Sequence, residues 1–433
     1  MTTFFFGQRT WPLLLAGLLF FGGCRPKLDD TVPFPRPLGE LNTAGARQLP
    51  GQTRTATEGV YTATDGADAF GREIAAKWSH LVRAPGDTTR YLSLFCEPEA
   101  AFFVLEGRQF GDSLVFEGVW RRLVNTQTGT VRLVILKNEG ATALLAAGCC
   151  QVPKKRTITF RGSYTNGQQP RANPLTLTFE RPLNPRPFQI LAHRCGGRTS
   201  DLLPASENSV EMIRLAQRLG ATGVEVDMRQ TKDGIPVIYH DNQLNLRLTQ
   251  KSGLIGPLEN YTYGQLSSFV RLINGEQIPT LEQALETILT ETTLETVWLD
   301  TKDIQDMALI RQIQQKYLAK AAARGRRLNI YFGLPSAAAL AQFEALPNHQ
   351  TVPSLCELDT ADARRINARI WAPRWTLGNP VAETKAMQAQ GRQVYIWTLD
   401  VPEFVRQFIS TNTLDGILTN YAPVVAYYHY VQL

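Results

Sequence analysis

The chain has 433 residues, 43% of them hydrophobic, which is enough for two domains rather than one. Its net charge of +6 is mild, and with no long basic run or basic–aromatic pattern, nucleic acid is not an expected partner. Six cysteines without a C-x-x-C spacing argue against a zinc site.

Residues 1–24 read as a targeting segment. Arg9 supplies a positive start, and Trp11 to Phe21 is an apolar stretch too short for a bilayer-spanning helix of ~20 residues. Phe21-Gly22-Gly23-Cys24 resembles a bacterial lipobox, which makes Cys24 the expected lipidation site. An ordinary signal peptide with a chance cysteine is the alternative. Acyl chains on Cys24 would anchor the chain to a membrane. Arg25 after the cysteine, in place of aspartate, points to the outer membrane of a bacterial cell envelope, on its periplasmic side or at the cell surface. Residues 25–50, rich in Pro, Gly, Thr and Arg, read as a tether.

Residues 51–185 carry strand-like runs separated by turns. The runs are Tyr91 to Phe95, Ala101 to Leu105, Ser113 to Trp120, Thr130 to Lys137, Thr157 to Tyr164 and Leu175 to Phe179. Gly111-Asp112, Thr128-Gly129 and Asn166-Gly167 are the turn signals. An all-β accessory domain follows, either an antiparallel sandwich or a small barrel. Lys154-Lys155-Arg156 reads as a solvated loop. Cys149 and Cys150, being adjacent, are poor disulfide partners for each other.

Residues 186–433 alternate strands and helices. Phe188 to Ala192 is an apolar run that stops at His193-Arg194, with glycines beyond. Asn208 as N-cap with Glu211 three residues on fits a capping box, and Gly220 fits the stop. Val210, Ile213, Ala216 and Leu219 line one face of that helix. The run Gly223 to Met228 puts Glu225 and Asp227 on the same face of a strand. Lys232-Asp233-Gly234 is a turn, and Val237 to Tyr239 returns from it; as a hairpin this sets His240 roughly opposite Asp227. Residues 242–277 show no clear rhythm. Further strands are expected at Val297 to Asp300, Leu328 to Gly333, Val352 to Leu355, Arg369 to Ala372, Gln393 to Trp397 and Gly416 to Thr419. Helices fit at about 280–291, 303–323, 335–346, 380–390 and 402–411. The pattern is that of an α/β TIM barrel with one strand to spare, and such barrels carry their sites at the C-terminal strand ends.

Two histidines, a Glu/Asp pair and an arginine thus fall at strand ends within about fifty residues. Alone, each reads as an ordinary capped or solvated residue. Together they suggest phosphodiester cleavage. Carboxylate oxygens suit magnesium or calcium, histidines suit proton transfer, and the planar fork of Arg194 suits a phosphate.

The order of motifs resembles the glycerophosphodiester phosphodiesterases. It runs His193-Arg194, Glu207-Asn208-Ser209, Glu225-Val226-Asp227, Thr231 to Gly234, His240-Asp241, Ile278 to Glu282, Asp300-Thr301-Lys302, Trp397-Thr398 and Asp415 to Asn420. The resemblance covers about residues 188 to 425. It implies hydrolysis of a glycerophosphodiester to glycerol phosphate and an alcohol, with the substrate's own 2-hydroxyl attacking first. It also implies a divalent metal, Mg²⁺ or Ca²⁺, on Glu225, Asp227 and Asp300. His193 and His240 become acid and base in an order left open, with Arg194, Lys302, Glu207 and Trp397 about the substrate. Residues 242 to 277 resemble the family's insertion over the site. Four departures stand out: Cys195 before the glycines, Ser209 for threonine, Asp300 one methylene shorter than the usual glutamate, and Arg247-Leu248-Thr249 for R-T-T. Cys195 reads as a space-filler beside the site. Two other readings stay open: a phospholipase-type phosphodiesterase on a lysolipid or phosphoinositide, and a non-catalytic surface-binding lipoprotein.

Overall fold

Eight antiparallel strands between Gly59 and Arg181 close on themselves. In this computed structural model, which describes residues 45–146, 157–167, 172–302, 304–411 and 413–432, they run Gly59–Asp65, Glu73–Ala84, Asp87–Cys96, Ala101–Phe110, Ser113–Arg122, Thr128–Ile135, Thr159–Tyr164 and Asn173–Arg181. Each pairs with the next, and the last pairs with the first. Closure leaves no free edge among these eight, so of the two expected architectures the barrel is the one formed. Cys24, the tether as far as residue 44, Cys149, Cys150 and Lys154-Lys155-Arg156 lie outside the described residues.

The barrel is filled rather than hollow. Tyr61, Phe103, Phe116, Trp120 and Phe160 are buried within it. Phe70, from the short helix Ala67–Phe70, meets Phe103, Trp120 and Tyr164 edge-on at 4.7, 5.1 and 4.8 Å. The strands Gly59–Asp65 and Glu73–Ala84 carry no clean alternation in sequence. In Glu73–Ala84 three successive residues are buried. Ile74 and Ala76 face the barrel interior, while Ala75 faces a second core outside it.

That second core belongs to eight parallel strands: Gln189–Ala192, Gly223–Gln230, Thr296–Asp300, Asn329–Leu334, Ser354–Cys356, Ile370–Trp371, Gln393–Ile396 and Gly416–Thr419. The first pairs with both the second and the last, closing a TIM barrel. The spare ninth strand has a simple origin. Pro236–Ile238 folds back antiparallel on Gly223–Gln230 and stays out of the ring. Strand alternation sorts the side chains. Val224, Val226 and Met228 face the surrounding helices, while Leu191, Trp298, Leu355, Tyr395 and Leu418 pack separately. Gly333 leaves room for an indole, since a Cβ there would stand 2.2 Å from Trp298 Nε1.

The expected helices form at Leu281–Glu291, Met307–Ala323, Ala337–Glu344, Val381–Gln388 and Pro402–Ser410, and Thr360–Arg365 and Ala422–Val431 join them. Residues 242–277 are more ordered than their sequence suggests. A two-strand pairing, Gln243–Leu244 with Gly256–Pro257, leads to a helix at Tyr263–Phe269 opened by a Thr262/Gln265 capping box. This segment buries Leu248, Leu258, Leu266 and Leu272 in a core of its own.

The two barrels share a seam. Ala75, Phe95 and Phe102, on outward faces of the first barrel, belong to the same core as Met212, Leu219 and Ala426 of the second. The C-terminal helix Ala422–Val431 is bonded across it: Tyr428 Oη donates to Glu97 Oε1 (2.8 Å), and Arg181 Nη2 donates to the Val431 carbonyl (2.6 Å). Gly220 ends the first helical segment with φ +94°, and a Cβ there would lie 2.7 Å from Ala426 and 2.9 Å from Phe95. Among the described residues, no helix is long and apolar enough to cross a membrane.

Candidate active site

Strand register assembles the carboxylates. Asp227 and Asp300 are direct partners on adjacent strands, and Glu225 lies opposite Trp298. Glu225 and Asp227, two apart, share a face as their spacing predicts. Oxygens of Glu225, Asp227 and Asp300 all lie within 4.8 Å of one another, and the first two residues are buried. Lys302 Nζ bridges Asp227 Oδ1 and Asp300 Oδ2 at 2.7 Å each.

The same register delivers His193. Ala192 pairs with Val224 on one side and Thr419 on the other, so the next residue emerges between Glu225 and Asn420. His193 Nε2 is 3.8 Å from Glu225 Oε2, and its Nδ1 is 3.0 Å from Asn420 Oδ1. The Asn420 amide is itself oriented: its Nδ2 donates to Asp400 Oδ2 (2.7 Å) and its backbone N–H to Asp400 Oδ1 (2.8 Å). Its Oδ1 can then only accept, so the proton of neutral His193 sits on Nδ1 and the Nε2 lone pair faces the carboxylates.

His240 arrives by the hairpin, one residue away from the expected register. Met228 pairs with Ile238, and the Tyr239 amide donates to the Asp227 carbonyl (2.9 Å), so Tyr239 is the residue opposite Asp227. His240, next along, still reaches the site, with Nε2 4.0 Å from Asp227 Oδ1. Its Nδ1 lies 2.7 Å from Asp241 Oδ1, and its Nε2 accepts from Arg194 Nη2 at 2.9 Å. A guanidinium can only donate, so here too the imidazole proton is on Nδ1.

Arg194 and Cys195 adopt left-handed backbone angles (φ +53° and +70°). Each non-glycine residue so held costs on the order of 1–3 kcal/mol, which the surroundings must offset. The turn aims the Arg194 amide at Glu225 Oε2 (2.8 Å) and its Nη1 at Glu207 Oε1 (2.9 Å). Glu207 is expected at the substrate, but the structure buries it as a holder of arginines. It also accepts from Arg247 Nη1 (3.2 and 3.3 Å) and from the Thr199 amide (2.7 Å). Asn208 is not the N-cap its sequence suggests. Ser209 is, accepting from the Met212 amide at 3.0 Å, and Glu211 pairs with Arg214 (3.6 Å) instead of closing a capping box. Asn208, at φ +54°, donates from Nδ2 to Asp227 Oδ2 (2.7 Å) and accepts the Asp227 amide (3.2 Å).

Burial and charge pull the carboxylates apart. Glu225 is pushed well above the usual range, first by burial and then by Asp227 and Asp300. Burial would raise Asp227 too, but Lys302, His240 and His193 hold it down at about 2. Asp300 is raised, chiefly by burial. The Lys302 charge therefore does not neutralise the group, and three hard-oxygen donors this close fit a further, divalent cation. Burial lowers His193 to about 4, so its imidazole is neutral near pH 7. Asp241 lies well below the carboxylate range: burial opposes this, but bonds from Arg247, His240 and Asn245 outweigh it.

Trp397 is at the end of its strand. Its Nε1 donates to the Ala372 carbonyl (2.8 Å), its ring stands edge-on to Trp298 at 6.5 Å, and the Arg374 guanidinium covers it at 4.8 Å. Cys195 is fully buried with its thiol pushed well up by that burial, which suits packing rather than attack. Sequence reasoning passed over Asp400, Asn420 as a site residue, and Arg247. The last two had signals, as the end of the Gly416 to Asn420 run and as the arginine of Arg247-Leu248-Thr249.

A closed parallel barrel with carboxylates, histidines and arginines gathered at its C-terminal strand ends defines the class: a TIM barrel whose polar centre holds a carboxylate cluster able to take a cation. Residues 193–423, just over half the chain, match the Glycerophosphoryl diester phosphodiesterase family, and the chain belongs to it. Glycerophosphodiester phosphodiesterase 1 of Mus musculus is 38% identical over 132 residues, covering 29% of this chain and 38% of its own length. The Mycobacterium tuberculosis protein "Probable glycerophosphodiester phosphodiesterase 2" is 27% identical over 251 residues, covering 54% of this chain and 88% of its own. A solved glycerophosphodiester phosphodiesterase from Parabacteroides distasonis superposes with a TM-score of 0.44 and 20% identity, over 56% of this chain and 97% of its own.

Proposed function

We propose that this chain hydrolyses glycerophosphodiesters to glycerol phosphate and an alcohol, with histidine acid–base catalysis beside a divalent cation. The observation that carries the reading is the pair of histidine Nε2 atoms set against one carboxylate trio, 3.8 Å from Glu225 and 4.0 Å from Asp227. Magnesium or calcium held by Glu225, Asp227 and Asp300 would supply positive charge to the phosphate oxygens. Arg194 and Lys302 add fixed charge where negative charge develops in the transition state. His193, neutral beside a neutral amide, takes the proton of the attacking hydroxyl at Nε2. His240 is left as the acid for the leaving alcohol: in that role Nε2 carries a proton and Arg194 turns from it to the phosphate, while Asp241 holds the ring at Nδ1 (2.7 Å). Glu207 positions Arg194 and Arg247 rather than touching the substrate. The lipid anchor at Cys24, supported by residues 1–24 alone, would hold this site at the cell envelope.

The test uses the full-length chain extracted from membranes in detergent, with the mass of Cys24 checked for acyl chains. Release of glycerol phosphate from glycerophosphocholine, glycerophosphoethanolamine and glycerophosphoinositol is followed with Mg²⁺, Ca²⁺ or EDTA. Metal-dependent turnover is expected, reduced on the order of 10²–10⁴-fold in His193→Ala and sharply in Asp300→Ala. Metal binding without turnover on any of the three would move the substrate to a lysolipid or phosphoinositide. Neither binding nor turnover would sink the enzyme reading, and an unmodified Cys24 would sink the anchor.

A further inference from the structure

One buried side chain of the accessory barrel ends on a turn that supports the site. Arg121 lies on Ser113–Arg122, paired with Phe102, whose ring faces the seam. It is fully buried. Its Nη1 donates to the Leu202 carbonyl and its Nη2 to the Asp201 carbonyl, both at 2.7 Å. These two carbonyls end a single turn of the second barrel, Thr199–Asp201, where Leu202 stands at φ +51°. Desolvating a guanidinium costs several kcal/mol, so its donors must be met by well-placed acceptors. Burial accordingly lowers Arg121, to about 10. A planar fork meeting two neighbouring carbonyls fixes both the place and the rotation of that turn, which a single ammonium would not do.

The turn matters because of what it holds. The Thr199 amide, two residues before Asp201, donates to Glu207 Oε2 at 2.7 Å. Glu207 in turn grips Arg194 and Arg247, and Arg194 bonds His240 and, through its amide, Glu225. We infer that Arg121 is a positioning residue for the active site: it clamps the 199–202 turn, and through Glu207 it sets Arg194, which adds charge at the phosphate, and Arg247, which holds Asp241 beside His240. On this account the antiparallel barrel completes the phosphate-binding end of the TIM barrel and is more than a spacer. The kinetic part of the inference rests on the glycerophosphodiesterase reading; the clamp itself does not.

Two arms separate the two. In the full chain, Arg121→Ala and Arg121→Lys are compared with the unaltered protein for tryptic cleavage after Arg198 under native conditions, which needs no activity. They are also compared for kcat and KM on glycerophosphodiesters, with and without added guanidinium. Loss of both bonds should speed cleavage at Arg198 and raise KM on the order of tenfold, with a smaller change in kcat. Millimolar guanidinium should restore both in Arg121→Ala, and Arg121→Lys should recover only part. Folded variants with unchanged cleavage and unchanged KM would overturn the inference. So would losses that guanidinium does not restore, since they indicate a merely structural defect. If Arg121→Ala does not fold, Arg121→Lys decides by the same readouts. An unaltered chain inactive on every substrate would count against the proposed function, while the cleavage arm would still judge the clamp.

Discussion

Asp400 has no place among the carboxylates around Lys302, yet it governs what His193 can do. Its two oxygens take the Asn420 side-chain and backbone N–H groups, so the amide oxygen must face the imidazole. Removing that constraint lets the Asn420 amide turn its NH₂ to His193, which would put the imidazole proton on the wrong nitrogen. Asp400→Ala is therefore expected to lower kcat on the order of 10- to 100-fold with little change in KM, as measured by steady-state turnover. A kcat equal to that of the unaltered chain would show that tautomer control by Asp400 is not needed. The sequence shows His193 plainly, because a histidine at the end of an apolar run is a local pattern. Asp400 is invisible there: its role depends on a residue twenty positions on and a histidine near the other end of the barrel's sequence.

At the scale of elements, Asn208 and Ser209 are neighbours with opposite duties. Both are good N-caps by type, and local rules cannot choose between them. The structure chooses Ser209 for the helix Val210–Ala216, because the left-handed turn at Asn208 carries that side chain away to Asp227. Ser209→Ala should cost about 1 kcal/mol in denaturant unfolding and spare most activity. Asn208→Ala should reduce turnover by loosening Asp227. The reverse pattern would restore the sequence-based cap. The hairpin errs in a similar way: its existence was legible in Lys232-Asp233-Gly234, but not whether Tyr239 or His240 meets Asp227. In residues 242–277 the capping signal Thr262-x-x-Gln265 was present, though too short a helix follows it to show a period.

For the molecule as a whole, the seam between barrels should add its own share to acid sensitivity, beside that of the buried active-site groups. His429, in the C-terminal helix, is buried with its ring stacked on Phe188 at 4.8 Å, and burial lowers its pKa to about 4. The unfolded chain takes up that proton near pH 6.5 and the folded chain near 4. Stability on this account is therefore complete above about 6.5 and lost as pH falls towards 4, by about 3 kcal/mol in all. His429→Phe keeps a ring on Phe188 and cannot titrate, so its thermal midpoint should fall less between pH 6.5 and 4. Parallel pH profiles for the two proteins would reject this role.

By itself the sequence determined the parallel barrel, its strand-end histidines and the shared face of Glu225 and Asp227. These depend on residues within a few positions of one another, through period-two alternation and strand-end punctuation. The tertiary structure alone decided what meets across distance. Closure brings Asn420 to His193, 227 positions earlier, so the last strand sets the protonation of the first. Seam burial on both faces erased the alternation of Glu73–Ala84, hiding a strand, and it carried Arg121 to a turn 80 positions on. Local pattern records which face a residue turns to a core; it does not record which core, or which neighbour, lies there.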